Sequence, residues 1–67
     1  HDCKIGSNCH IAPGVVLSGG VVISDSCFIG TGSVIINDIS IGKGVVTAGG
    51  STIYENLPND TKLIQKK

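Results

Sequence analysis

Five residues near the start of the chain have side chains that could bind a metal or act in catalysis: His1, Asp2, Cys3, Cys9 and His10. Imidazole nitrogens and thiolates are the usual ligands of zinc, and a structural zinc site needs four such groups converging on the metal. An imidazole also titrates near neutral pH and can act as a general base, especially beside a carboxylate. Spacing alone leaves these alternatives open, because the chemistry depends on where each side chain points.

The composition limits the kind of protein that carries these residues. Sixty-seven residues form at most one small domain, which needs a cross-link, a metal or self-association for stability. Five basic residues balance five acidic ones, so no net charge attracts nucleic acid or an anionic membrane. No apolar run approaches membrane-spanning length and no signal peptide is visible, so we expect a cytoplasmic protein without membrane insertion. The first residue is not methionine, which indicates a fragment, and three cysteines make a disulfide framework a poor interpretation.

A repeat of six residues organises almost the whole chain. A branched aliphatic residue, replaced once by threonine, recurs at every sixth position: Ile5, Ile11, Leu17, Ile23, Ile29, Ile35, Ile41, Thr47 and Ile53. A column of small or apolar residues precedes it by two positions: Cys3, Cys9, Val15, Val21, Cys27, Ser33, Ile39, Val45 and Ser51. Pairs of turn-forming residues rich in Gly, Asn and Asp follow each aliphatic position. Each hexad therefore predicts a short strand and a two-residue turn.

The uniform period favours a coil over a meander of hairpins. A meander would need antiparallel pairing across every turn with a shifting register, and the sequence gives no sign of such shifts. Three strands per 18-residue turn would instead stack identical positions one coil apart, at about 4.8 Å. The sequence therefore predicts an all-β fold: a parallel β-helix of triangular section with three coils over residues 1–56, followed by a C-terminal tail over residues 57–67.

The repeat also assigns each side chain to the interior or to one of three faces. Faces A, B and C hold the strands around Ile5, Ile23 and Ile41, around Ile11, Ile29 and Thr47, and around Leu17, Ile35 and Ile53, respectively. The three cysteines point inward, where thiols in an apolar shaft are ordinarily unreactive. Faces B and C expose apolar columns, which indicates that they are subunit interfaces. The outward residues are His10, Phe28 and Val46 on face B, and Val16, Val34 and Thr52 on face C.

The segment IGSNCHIAPGVVLSGGVVISDSCFIGTGSVI resembles the hexapeptide-repeat acyltransferases, and the resemblance extends over most of the chain. It implies a left-handed β-helix, although the general rule for parallel crossovers favours the right-handed form. It also implies a homotrimer. The γ-type carbonic anhydrases share this fold and bind zinc with three histidines at subunit interfaces. Because this chain has only two histidines, we predict no metal site.

The pattern HDC-IG---HIAPG-VLSGGV-I is similar to one branch of that family, the acetyltransferases acting on nucleotide-linked amino sugars or on sialic acid. The resemblance implies that His1 is the catalytic base and that Asp2 orients and polarises it. It further implies that His10 contacts the thioester region of acetyl-CoA, the co-substrate. Small residues at the corner between faces B and C would leave backbone amides accessible to the pantetheine arm of acetyl-CoA. The residues expected to bind it there are Gly30, Ala48 and Gly49.

Two departures from this branch keep a second function open. Its members carry an N-terminal nucleotide-sugar domain, which is absent from these 67 residues, and an NPAK-like turn where this chain has ENLPNDTKLIQKK. We expect a small-molecule sugar or nucleotide-sugar acceptor, with its identity and the choice of N- or O-acetylation open. The alternative function is a non-catalytic trimerisation module, or a fragment that is inactive without its acceptor domain. An ice-binding β-helix is excluded, because the threonines form no ranks on one face.

Overall fold

The fold is a parallel β-solenoid of about three turns, in a computed structural model that describes residues 2–64. Ten two-residue strands occur: β1 (Lys4–Ile5), β2 (His10–Ile11), β3 (Val16–Leu17), β4 (Val22–Ile23), β5 (Phe28–Ile29), β6 (Val34–Ile35), β7 (Ser40–Ile41), β8 (Val46–Thr47), β9 (Thr52–Ile53) and β10 (Lys62–Leu63). They form three sheets, β1-β4-β7, β2-β5-β8-β10 and β3-β6-β9, which are faces A, B and C. The predicted all-β parallel solenoid is confirmed. Residues 2–64 offer no helix that could traverse a bilayer.

Each of the strands β1 to β6 pairs in parallel register with the strand one coil further along. Lys4 and Ile5 lie opposite Val22 and Ile23, and His10 lies opposite Phe28. The offset in these pairs is the 18 residues that the repeat predicts. Equivalent hexad positions are therefore stacked along the solenoid axis, and this stacking decides which side chains become neighbours.

The turns close because one residue in each adopts a left-handed backbone conformation. Five of these residues are glycines, with φ between 66° and 78°. The others have φ between 59° and 62° and are Asp2, Asn8, Ser26, Asp38 and Asp60. Glycine lacks the Cβ atom that disfavours this region, and Asn and Asp tolerate it better than other residues. The turn pairs identified in the sequence therefore provide the bends of the prism.

The inward isoleucines of the second and third coils form the core. Ile23, Ile29, Ile35 and Ile41 are at most 1% exposed. Burying one such side chain stabilises the fold by about 1.5–3 kcal/mol relative to leaving it in water. Burial decreases towards the first coil, where Ile5 is 48% exposed, because β1 has a neighbour on one side only within the described residues.

Thr47, the exception in the aliphatic column, forms hydrogen bonds in the interior. It is fully buried, and the backbone N–H of Gly30 donates to its Oγ1 at 3.2 Å and to its carbonyl oxygen at 3.0 Å. Among residues 2–64, every buried side-chain nitrogen or oxygen has a hydrogen-bond partner. Burying the hydroxyl therefore costs little free energy, because it accepts a hydrogen bond from Gly30 on the neighbouring coil.

The pairing continues beyond residue 56, into the segment expected as a C-terminal tail. Leu57 forms a parallel bridge with Ile41, and Leu63 in β10 lies opposite Thr47. Both offsets are 16 residues, so the last turn is two residues shorter than the others. Side chains compensate for the irregular turn: Asn56 and Asn59 accept hydrogen bonds through Oδ1 from the backbone N–H groups of Ser40 and Lys43, each at 2.8 Å.

Candidate active site

Of the two residues expected to form the catalytic pair, the structure describes Asp2; His1 lies outside the described residues. Asp2 is exposed and has a left-handed backbone, with φ 61°. It precedes β1 as Gly20 precedes β4 and Asp38 precedes β7, so these three residues stack at the corner between faces C and A. The carboxylate is thus held at a defined turn and is open to solvent.

His10 lies on the outer surface of face B and is exposed, as the alternation of side chains predicts. Its imidazole stacks on the ring of Phe28, with the ring centroids 4.9 Å apart and the ring planes 7° from parallel. Phe28 is 44% exposed, and Val46, next in the column, is 37% exposed. The imidazole therefore stands at one end of an apolar surface strip that continues along the solenoid axis.

Gly30 lies at the corner between faces B and C, where the structure leaves no room for a side chain. A Cβ atom there would lie 2.5 Å from the backbone nitrogen of Gly49 and 2.6 Å from the carbonyl carbon of Ala48. Non-bonded carbon atoms normally approach to about 3.5–4 Å. The backbones of two successive coils therefore come together at Gly30, which is buried.

Amide N–H groups at this corner are available to a ligand. At the corner between faces A and B, the N–H of Ser7 donates at 2.8 Å to the carboxylate of Asp25, one coil further on. The equivalent N–H groups between faces B and C belong to Thr31 and Gly49, and neither donates to an acceptor within residues 2–64. Gly49 lies one coil beyond Thr31, where Asp25 lies relative to Ser7, and it has no side chain to accept a hydrogen bond. The expectation that this corner binds acetyl-CoA stays a prediction.

The three cysteines point inward, as predicted, and pack against the core. Each thiol donates to a backbone carbonyl of the neighbouring face: Cys3 to Ser18 at 3.3 Å, Cys9 to Ser24 at 3.1 Å and Cys27 to Gly42 at 3.1 Å. Burial is the main cause of a raised pKa at Cys27, reinforced by the adjacent Cys9 thiol. A buried thiol with a raised pKa is a poor nucleophile. Residues 2–64 also contain no cluster of three metal-ligating side chains.

Within one chain, Asp2 and His10 lie on different sides of the prism. Asp2 stands at the corner between faces C and A, and His10 projects from face B, which lies opposite that corner. The interior column of the core runs between them. His10 therefore lies on the face that borders the corner with face C, and the chain does not bring it to Asp2.

A cavity of about 120 Å³ lies away from these residues, at the C-terminal end of the described solenoid. It is lined by Thr52, Ile53, Tyr54, Glu55, Leu57 and Leu63. It arises because β9 on face C has no fourth-coil neighbour among residues 2–64. None of the candidate site residues lines it, so we do not assign it to the active site.

Sequence reasoning missed two contacts that the structure shows. The His10–Phe28 stack follows from their 18-residue separation, which places both outward on adjacent strands. The thiol–carbonyl contacts recur at a separation of 15 residues, as does the hydrogen bond from the Ser33 hydroxyl to the Ala48 carbonyl at 3.2 Å. Cysteine and serine in the column of small inward residues therefore donate hydrogen bonds to the backbone of the neighbouring face, in addition to filling space.

Comparison with known proteins places the chain beside acetyltransferases, although no protein-family model matches it. It is 39% identical over 72 aligned positions to the bifunctional protein GlmU of Francisella tularensis subsp. tularensis (strain FSC 198), and to GlmU of subsp. novicida (strain U112). Each alignment covers 97% of this chain and 16% of GlmU. The match is to the C-terminal part of GlmU, a hexapeptide-repeat acetyltransferase, and it confirms the resemblance seen in the sequence.

A solved structure shows the same fold. Serine acetyltransferase isoform 3 of Entamoeba histolytica, in complex with cysteine, superposes on the chain with a TM-score of 0.90. The two are 24% identical, and the superposition covers 97% of this chain and 26% of the other. The solenoid thus has the same fold as the matching part of that structure.

Proposed function

We propose that this chain is the β-helix portion of an acetyl-CoA-dependent acetyltransferase that modifies an amino or hydroxyl group of a sugar or nucleotide sugar. The observation that carries the proposal is the 39% identity to GlmU along 97% of the chain. The residues of the HDC…HIAPG pattern supply the proposed chemistry. Because the chain spans 16% of GlmU, the activity, the acceptor and the co-substrate all form part of the proposal.

In this proposal His1 is the general base and Asp2 orients it. Acetyl-CoA would supply the thioester. The His1 imidazole takes the proton of the acceptor's amine or hydroxyl as that group attacks the thioester carbonyl carbon, and then gives the proton to the departing thiolate. A carboxylate at the other ring nitrogen fixes the imidazole tautomer and stabilises the imidazolium ion. No acyl-enzyme is needed, in keeping with the raised pKa of the buried Cys27 thiol.

His10 and the corner between faces B and C form the proposed acetyl-CoA site. An imidazole N–H can stabilise the negative charge that develops on the thioester oxygen. The N–H groups of Thr31 and Gly49 can donate to the amide carbonyls of a pantetheine arm, because neither donates to an acceptor within residues 2–64. Gly32, Gly49 and Gly50 are exposed at this corner and carry no side chains, so an extended arm can approach the backbone there.

The proposed active site is shared between subunits of a homotrimer with left-handed β-helices. His1 and Asp2 of one subunit would face His10 of the next, since Asp2 and His10 lie on opposite sides of a single prism. Exposed apolar side chains support subunit contacts: Val16 is 53% exposed, Ile36 39% and Tyr54 69%. Cyclic symmetry would then repeat the site at each of the three interfaces. We place this enzyme in the cytoplasm.

A thiol-release assay tests the proposal. The chain is incubated with acetyl-CoA and a panel of amino sugars and nucleotide amino sugars, and release of the CoA thiol is measured. The expected result is acceptor-dependent release that the His1→Ala variant loses and a Lys4→Ala variant keeps. Mass spectrometry of the product then distinguishes N- from O-acetylation. A trimer that releases no thiol with any acceptor would instead support the alternative, a trimerisation module or a fragment that is inactive without its acceptor domain.

A further inference from the structure

The stack of His10 on Phe28 is built by the backbone. The two residues lie opposite each other in adjacent parallel strands, β2 and β5. Neighbouring strands are about 4.7–4.9 Å apart, and the ring centroids are 4.9 Å apart with the planes 7° from parallel. The strand register therefore places the two rings at stacking distance without any distortion of the main chain.

Phe28 is unusual among the outward residues of its coil. The equivalent outward positions on faces A and C carry Val22 and Val34, which suit a strand well. Phe28 is the only phenylalanine in the chain, and it is 44% exposed. It contributes nothing to the buried core. Its ring does contact the imidazole of His10.

Stacking restricts the directions in which His10 can form hydrogen bonds. The N–H and the lone pair of an imidazole lie in the ring plane. Rotation about the Cβ–Cγ bond would tilt that plane away from Phe28 and lose the stacking contact, which favours a near-parallel, offset arrangement. Val46, next along the column, has no ring to stack. Phe28 therefore fixes the plane of the His10 ring, and with it the directions in which the imidazole can form hydrogen bonds to a ligand beside face B.

We propose that Phe28 is a positioning residue for His10, holding its imidazole in the orientation that contacts the thioester of acetyl-CoA. This inference rests on the proposed function for its catalytic consequence. The orientation itself is independent of that function and can be measured separately. Phe28 acts through the imidazole rather than on the substrate, so an effect of its substitution requires His10.

The test uses the full chain with Phe28→Leu, Phe28→Tyr and Phe28→Trp, and with Val22→Leu as the matched control on the same coil. A stacked benzene ring shifts the NMR signals of the His10 ring protons upfield; a His10→Gln variant identifies those signals. Leucine should abolish the shift while tyrosine, tryptophan and the control preserve it. Unchanged His10 signals in a folded Phe28→Leu protein would overturn the proposal.

Activity provides the second readout. Phe28→Leu should lower kcat/KM for acetyl-CoA by about three- to tenfold, as expected for loss of an aromatic pair, and tyrosine should restore it. In a His10→Ala background, Phe28→Leu should have no further effect, because coupled residues are not additive. An additive effect would show that Phe28 acts independently of His10 and would overturn the proposal. If the unsubstituted chain releases no thiol, the proposed function fails, and the NMR result alone decides the positioning role.

Discussion

Substituting Gly30 tests whether the backbones of successive coils meet at the corner between faces B and C. In Gly30→Ala the added Cβ atom would lie 2.5 Å from the Gly49 nitrogen and 2.7 Å from the Thr47 carbonyl oxygen. All the close atoms belong to the main chain, so no side-chain rotation relieves the clash. Overpacking of this kind costs about 1–3 kcal/mol, and we expect the upper end because Gly30 also donates two hydrogen bonds to Thr47.

Gly32→Ala is the matched control. A Cβ atom at Gly32 has no neighbour within 4 Å, so the cost comes only from its left-handed backbone, at φ 71°. That conformation costs about 1–2 kcal/mol for a residue with a Cβ atom, offset by about 0.4–1 kcal/mol through the lower entropy of the unfolded chain. The net loss should be about 1 kcal/mol. Urea denaturation at one protein concentration measures both variants. A loss in Gly30→Ala no larger than that in Gly32→Ala would refute the proposed contact.

Three further predictions concern the thiols, the assembly and the shared site. Cys27 should react slowly with alkylating reagents in the folded state, and stability should fall as pH rises past the ordinary thiol pKa of about 8.5, because the unfolded thiol ionises before the folded one. Denaturation against pH should show less alkaline loss in Cys27→Ala, whereas rapid labelling of native Cys27 would contradict the inward register. Val34→Glu should dissociate or unfold a trimer in analytical ultracentrifugation, and a stable monomer of the unsubstituted chain would exclude the trimer. His1→Ala should lower the rate about 10²–10⁴-fold; mixing it with His10→Ala under subunit exchange should restore part of the activity, and no recovery would argue against a shared site.

The fold could be predicted from the sequence because a solenoid converts a linear period into spatial neighbours. The 18-residue coil places Ile5 opposite Ile23 and His10 opposite Phe28. The left-handed turn residues, such as Asn8 and Asp38, follow from the same period. The handedness of the solenoid does not follow from the period, because the same six-residue repeat fits a left-handed or a right-handed coil.

The shortened last turn and the complete active site were beyond sequence reasoning for different reasons. Leu57 takes its place opposite Ile41 two residues early, and the asparagine hydrogen bonds that accommodate this depend on three-dimensional contacts. The proposed pairing of Asp2 with His10 depends on how a second chain docks, which no period within one chain specifies. The roles of His1, Asp2 and His10 therefore stay predictions carried by the family resemblance.

The uneven burial along the solenoid has a consequence for amide hydrogen exchange. Each coil contacts only its neighbours, so opening starts at the ends and proceeds inward. Ile5 in the first coil is 48% exposed, whereas Ile23, one coil further on, is 1% exposed. Amides of β1 and β2 should therefore exchange much faster than those of β4 and β5. Asp2 and His10 thus belong to the less buried first coil, and protection of its amides upon assembly would report directly on formation of the proposed shared site.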